Sequence, residues 1–378
     1  MGSESQVAEL SESFEVAAWV HFLGGFVCRN NGLWKWLGNL ETNMLSQSMA
    51  DIHVGQPIYV TGLARSGSTL LLELLNQHPD LTAHRYQDYP LLFTPYMWNR
   101  YLERTPQDNT RVRERTHRDG IFITPESPEA FEEVLWTAFF SDLHDPAQSA
   151  ILDEETQNQA FENFYRDHIR KLLLVRGRRR YLAKGNYNIT RLSYLLKLFE
   201  DARFVIPVRE PIWHVASLMK QHRRFCQGQQ LNPRALTHLQ RIGHFEFGLD
   251  RRPINPGDPE RVAHIIDLWE SGAEVEGWAR YWALIHDFLA DQLSSKTRLR
   301  TAVRIVRYED FCRSPVEGVH TLFEHCRLSG TDMLMADVAG MIRPPALSKP
   351  EIFTNNDLAI IERSTSASAH RLGLGRTL

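Results

Sequence analysis

Residues 57–76 limit what this chain can fold into more than any other stretch. Pro57-Ile58-Tyr59-Val60-Thr61 is apolar and β-branched and is bounded by Gly55 and Gly62, the pattern of a buried strand. From Thr69 to Asn76 the run TLLLELLN has helical character, and Asn76 with Pro79 ends it. Between them lies GLARSGST, Gly62 to Thr69. A glycine-bearing turn between strand and helix aims backbone N–H groups and a helix N-terminus at one point, which makes an anion cradle. Set against G-x-x-x-x-G-K-[ST], the loop supplies Gly62, Gly67 and Thr69 but puts Ser68 at the lysine position. A kinase or ATPase neutralises the β- and γ-phosphates with that lysine. Here Arg65, inside the loop, offers a planar guanidinium fork to an anion instead.

Further strands are legible at 203–208 (RFVIPV), 302–306 (AVRIV) and, more weakly, 181–183 (YLA), the last leading to Lys184 and a helical run at 192–199. Strands separated by helices predict an α/β fold with a parallel sheet buried on both faces. We expect a P-loop type, three-layer architecture: a central parallel sheet flanked by helices. Helical insertions are expected near 126–143, 156–175, 233–247 and 259–293. No repeat or long Gly/Pro/Ser linker divides the chain, so one domain is expected, with a helical extension at 1–55, a core at 56–330 and a C-terminal segment at 331–378. Residues 14–40 carry Trp19, Phe22, Phe26, Trp34 and Trp36 at roughly helical spacing. They read as one or two helices packed on the body, with a membrane-surface or dimer helix as the alternatives.

Composition narrows the classes. The 43 Lys+Arg against 46 Asp+Glu give a net charge of -3, so no global positive field draws the chain to nucleic acid, and any anion site is local. Cys28, Cys226, Cys312 and Cys326 are scattered, with no zinc-ligand spacing. The polar, acidic start MGSESQVAEL does not read as an export signal, and no 18 apolar residues run without charge. A cytoplasmic protein with no metal and no transmembrane segment is expected.

The second anion pocket is read at the end of the 203–208 strand. Arg209-Glu210-Pro211 follows it, and Ser217 lies two turns into the next helix. The carboxyl ends of parallel strands are where α/β sheets bind ligands.

The run IYVTGLARSGSTLLLELLNQHP resembles the 5'-phosphosulfate loop of sulfotransferases that use 3'-phosphoadenosine-5'-phosphosulfate (PAPS), in the style of the bacterial and tyrosylprotein-like branch. RFVIPVREPIWHVASLMKQH is similar to the block that holds the 3'-phosphate in that family, and Arg307-Tyr308-Glu309-Asp310-Phe311 to its Tyr-Glu-Asp-Leu segment. The resemblance implies transfer of a sulfuryl group from PAPS to a hydroxyl-bearing acceptor, leaving adenosine 3',5'-bisphosphate. It places Arg65, Ser66, Gly67, Ser68 and Thr69 on the 5'-phosphate, and Arg209 and Ser217 on the 3'-phosphate. Arg65 and Lys184 are then the catalytic cations at the transferring group. The family's glycine- and lysine-rich C-terminal nucleotide loop has no clear counterpart; Gly373 and Gly375, near Arg371 and Arg376, are a faint echo.

Sulfuryl transfer also needs a base for the acceptor proton. Cytosolic members place a histidine where this chain has Asn186. The tyrosylprotein-like branch takes a glutamate from the loop after the first helix, here His84-Arg85-Tyr86-Gln87-Asp88. A strict count from Arg65 lands on Tyr86; Asp88 is preferred, with His84 as its rival. KLLLVRGRRR (171–180) reads as a solvated turn or a holder of an acidic glycan, and Phe93 to Trp98 as core or an apolar acceptor wall. A P-loop kinase or nucleotidase and a non-catalytic anion-binding relative remain open. So does the acceptor, whether small molecule, lipid or carbohydrate, and so does a homodimer.

Overall fold

The computed structural model describes residues 2–105, 112–116, 122–330, 332–344 and 350–374. Seven strands are present among them: β1 Ile58–Val60, β2 Leu81–Thr82, β3 Arg113–Glu114, β4 Phe122–Ile123, β5 Arg180–Lys184, β6 Arg203–Val208 and β7 Val303–Arg307. Five form one parallel sheet in the order β2-β5-β1-β6-β7; β3 and β4 make a separate antiparallel pair. The strand expected at 57–61 therefore sits in the centre, flanked by β5 and β6.

The sheet is apolar on both faces because helices cover both. Ile58, Tyr59 and Val60 are each fully buried. Alternation divides them: Tyr59 joins Tyr181, Phe204 and Ile206 in one cluster, whereas Ile58 and Val60 join Leu182, Val205, Leu71 and Leu75 in the other. A continuous apolar strand is what burial on both faces demands. The expected P-loop type sheet with flanking helices and helical insertions is present.

The helices fall near their expected places and shorten where local chemistry stops them. The loop helix is Ser68–Asn76, and the following insertions are Glu132–Phe139, Gln159–Arg176 and Pro233–Arg241. The stretch expected at 259–293 is two helices, Pro259–Glu270 and Glu274–Ser295. Gly272 between them has φ 84, a left-handed turn that suits glycine. Residues 14–40 hold two helices, Ala18–Arg29 and Asn31–Met44. The C-terminal helix Asn355–Arg371 packs on Glu274–Ser295 and on Pro211–Leu231.

Two adjacent carboxylates fasten the helix Glu132–Phe139 behind the sheet. Glu132 accepts hydrogen bonds from the hydroxyls of Tyr165 and Tyr181 and from the Asn188 amide at 3.3 Å. Glu133 takes the fully buried Arg191 guanidinium in a two-pronged contact at 2.8 and 2.7 Å, with His144 at 2.8 Å. Burial pushes Glu133 up, but Arg191 and His144 outweigh it and bring it down to about 2. Its folded value lies below the unfolded one, so its stabilisation is present above about pH 4.5 and is lost as pH falls towards 2. Arg191→Met should therefore cost about 3–5 kcal/mol at pH 7 in urea unfolding, because it strands a buried carboxylate. Arg191→Met with Glu133→Gln should recover part of that loss and flatten the acid limb.

Candidate functional site

β1 and β5 end in register, and β6 runs on beside the loop that follows β1, to Val208. Val60 pairs with Lys184 on one side and with Val205 on the other, so the residues after β1, β5 and β6 share the crevice where α/β sheets take ligands. The loop after β1 is held in an unusual shape. Gly62 has φ 146, Arg65 φ 70 and Gly67 φ 106. For arginine the left-handed region costs roughly 1–2 kcal/mol, and such strain persists only where neighbours hold it.

The neighbours are visible. His214, fully buried, lies 2.8 Å from the Ala64 carbonyl through Nε2, and its Nδ1 accepts the Trp282 indole N–H at 3.1 Å. An indole can only donate, so Nδ1 is the acceptor and Nε2–H donates to Ala64. Burial holds His214 well below its ordinary value, which keeps this neutral form. Arg65 Nε donates to Ser217 Oγ at 3.3 Å, joining the first loop to the helix after β6. A Cβ on Gly67 would lie 2.5 Å from the Tyr308 ring, so only glycine lets that ring close over the loop. The Ser66 hydroxyl is buried with no hydrogen-bond partner, and the first N–H groups of Ser68–Asn76 have none within their helix. An orphan hydroxyl beside orphan amides fits an anionic group such as a nucleotide phosphate.

At the β6 end, Arg209 Nε donates to Glu309 Oε1 at 3.3 Å, and the Glu210 N–H donates to Glu309 Oε2 at 3.2 Å. The guanidinium lies 5.2 Å from the centre of the Tyr308 ring. Glu309 thus orients Arg209, while Tyr308 touches both pockets; the segment 307–311 is a bracket between them.

Lys184 ends β5, half-buried. The Asn186 amide donates to Glu246 at 2.7 Å, and Glu246 pairs with His244 at 3.0 Å. Sequence reasoning missed Glu129, a carboxylate in the field of Lys184. Glu129 is pushed up by burial, yet Lys184, Arg115 and the Tyr86 hydroxyl hold it below the usual carboxylate range. Burial and the charge of Glu129 push Glu73, on the loop helix, up to about 7; its Oε1 is buried without a hydrogen-bond partner. The strict count from Arg65 to Tyr86 was the available signal, since Tyr86 is the residue that touches Glu129. The chain runs from one to the other by an antiparallel bridge between Arg85 and Pro128, with Glu129 N–H on the His84 carbonyl at 2.8 Å.

The side chains of Asp88 and His84 are buried and engaged inside the protein. Asp88 is 1% exposed and accepts from Arg176 at 2.6 Å, Asn99 at 3.1 Å and the Arg85 N–H at 2.8 Å. His84 is buried with its Nε2 3.3 Å from that of His168. Both carboxylate oxygens of Asp88 are occupied inside the protein, so the geometry favours anchoring over proton transfer. The basic run is spent likewise: Lys171 is buried on Glu41, Arg176 on Asp88, and Arg178 and Arg180 on backbone carbonyls. Phe93 is core, whereas Met97 is exposed. Of the faint C-terminal echo, Arg371 pairs with Asp287 and Asp291, whereas Gly373 lies against the guanidinium of Arg307, where a Cβ would be 2.6 Å away, on the strand that pairs with Val208; Gly375 and Arg376 lie outside the described residues. Among the described residues no group of three His, Cys, Asp or Glu could hold a metal ion.

The model of the Sulfotransferase family matches residues 57–253, which span both pockets and Lys184. Among solved structures, sulfotransferase STF9 from Mycobacterium avium is similar at 14% identity, over 88% of this chain and 81% of that one, with a TM-score of 0.52. Sulfotransferase STF1 from Mycobacterium tuberculosis H37Rv is similar at 15% identity over 90% and 83%, with a TM-score of 0.44. No curated protein sequence matches the chain.

The charges around Arg209 make one prediction. Burial, Glu309 and Asp310 push Glu210 up to about 7. A folded value above the unfolded one means stability present below about pH 4.5 and lost as pH rises to 7. Glu210→Gln should therefore melt like the parent near pH 4.5 and progressively higher than it towards pH 7. A constant offset across that range would place the carboxylate in ordinary solvent.

Proposed function

The chain belongs to the sulfotransferase family, and on that premise we infer that it transfers a sulfuryl group from PAPS to a hydroxyl-bearing acceptor in the cytoplasm. The observation that carries this reading is the Arg65–Ser217 contact at 3.3 Å: it joins two anion pockets, at the ends of adjacent strands, into one crevice suited to a doubly phosphorylated adenosine. The missing P-loop lysine stands against a kinase.

In this reading the loop from Arg65 to Thr69 would hold the 5'-phosphate, and Arg209, oriented by Glu309, would hold the 3'-phosphate with Ser217. PAPS supplies an activated sulfuryl group on a phosphate leaving group. The new bond runs from the acceptor oxygen to sulfur, and the bond from sulfur to the nucleotide's 5'-phosphate oxygen breaks. Arg65 and Lys184 offset the charge that grows on the leaving phosphate. The acceptor proton goes to Glu129, in place of Asp88 or His84, because Glu129 faces Lys184 and stays ionised. Glu73, at about 7, is poised to take the proton onwards at neutral pH.

Two experiments test this. Adenosine 3',5'-bisphosphate should raise the melting temperature, and ATP with magnesium should not, since only a ligand of the folded state stabilises it; the reverse order would indicate a kinase or nucleotidase. With labelled PAPS and a panel of phenol, sugar and lipid alcohols, Glu129→Gln should lower kcat at least about 100-fold with bisphosphate affinity unchanged. Asp88→Asn should chiefly lower the melting temperature. Loss of turnover in Glu246→Gln with Glu129→Gln active would move the base to the Asn186 side.

A further inference from the structure

The helices Ala18–Arg29 and Asn31–Met44 present an apolar surface that none of the described residues covers. Trp19, Phe22 and Phe26 stand on the first, at steps of three and four residues; Leu33, Trp36, Leu40 and Met44 stand on the second, at steps of three, four and four. All seven are between 40% and 72% exposed. Phe26 meets Trp34 edge to face at 6.3 Å, so the two ridges are continuous. Beside them the helix Pro95–Arg104 adds Met97, whose backbone N–H donates to Glu41 at 2.6 Å.

The surface is preformed. The Gly24 backbone lies hard against the Tyr89 ring; a Cβ on Gly25 would sit 2.8 Å from Arg241, and one on Gly38 2.7 Å from the Phe93 carbonyl. Small residues at these points let both helices seat closely, with their ridges turned outward.

Charge decides between a bilayer and a protein as the occupant. A helix lying in a membrane interface keeps a Lys/Arg-rich polar face open to the headgroups. Here the polar face is turned inward: Lys35 donates to the Ala138 carbonyl at 3.2 Å, and Glu41 pairs with buried Lys171 at 3.0 Å. From residue 18 to 44 the sole charge among exposed residues is Arg29. Depletion of charge at the centre of an apolar patch is instead the mark of a protein interface. Steps of three and four make the narrow seam that takes a facing helix, knobs into holes. The exposed side chains offer on the order of 700 Å², close to the ~800 Å² per partner of a stable complex. A surface that is itself a pair of apolar ridges is self-complementary under a two-fold axis.

We propose that these two helices form the contact of a symmetric dimer, with a second copy of this chain as the partner. The contact would brace the packing behind it, because the helix bearing Gly24 rests on Tyr89, which stacks on Phe131 at 5.6 Å.

Sedimentation velocity on the full chain, from nanomolar to tens of micromolar, tests it. The parent should pass from monomer to dimer, and Trp36→Glu should weaken that association at least about 100-fold. Leu40→Lys should act likewise, and circular-dichroism melting identifies any variant that has merely unfolded. Val316→Glu, exposed far along the chain, should leave the association unchanged. A parent that stays monomeric throughout overturns the proposal, as does an association that Val316→Glu weakens as much as Trp36→Glu. Flotation with phosphatidylcholine/phosphatidylserine vesicles that carries the parent but not Trp36→Glu would show that a bilayer is the occupant, and would also overturn it.

Discussion

Backbone N–H groups at the start of the loop helix have no acceptor within it, and the crevice is organised around holding those donors and Arg65 in place. The loop pays a conformational cost at Arg65, whose φ of 70 is one that side chains other than glycine avoid. Three side chains from two elements hold it there: His214 from beneath and Ser217 on the guanidinium, both on the helix Pro211–Leu231, and Tyr308 over Gly67. Remove any one and the loop gains freedom it does not have in the fold. Preorganisation of this kind means that an arriving anion need not order its own donors.

Cations around the crevice are matched with carboxylates. Glu309 orients Arg209, and Glu129 lies in the field of Lys184 and Arg115. Such pairing holds the guanidinium and ammonium groups of the crevice in place within a chain of net charge -3. It also separates the carboxylates by role. Glu129 is held ionised by its cations, while Glu73 and Glu210 are pushed up to about 7 by burial and by neighbouring negative charge. Environments that drive like groups apart are what acid–base chemistry near neutral pH requires.

Much of this was legible before any coordinates. The strand at 203–208 has the bounds expected of it, and the loop Gly62 to Thr69 joins a strand to a helix as its glycines and apolar flanks required. Both patterns are local: alternation, turn residues and helix periodicity act over a few residues. Glu129 was not legible. It lies far from Arg65 in the chain and belongs to no motif; an antiparallel bridge at Arg85 and Pro128 brings it beside Tyr86. Asp88 was preferred because the resembled branch takes its base from the loop after the first helix, yet Arg176, from the basic run 171–180, claims its carboxylate. Proximity along the chain gave no information about which partner would reach it first.

What the sequence determined by itself, then, is the anion-binding loop, the parallel sheet behind it and the arginine at the end of the next strand, because each follows from contacts between near neighbours in the chain. Only the tertiary structure decided which carboxylates face the crevice, which are consumed in buried ion pairs, and which apolar ridges stay uncovered. Those outcomes depend on competition among distant side chains for the same partners. A charge buried beside the wrong neighbour costs several kcal/mol, so packing rather than spacing settles where each one ends.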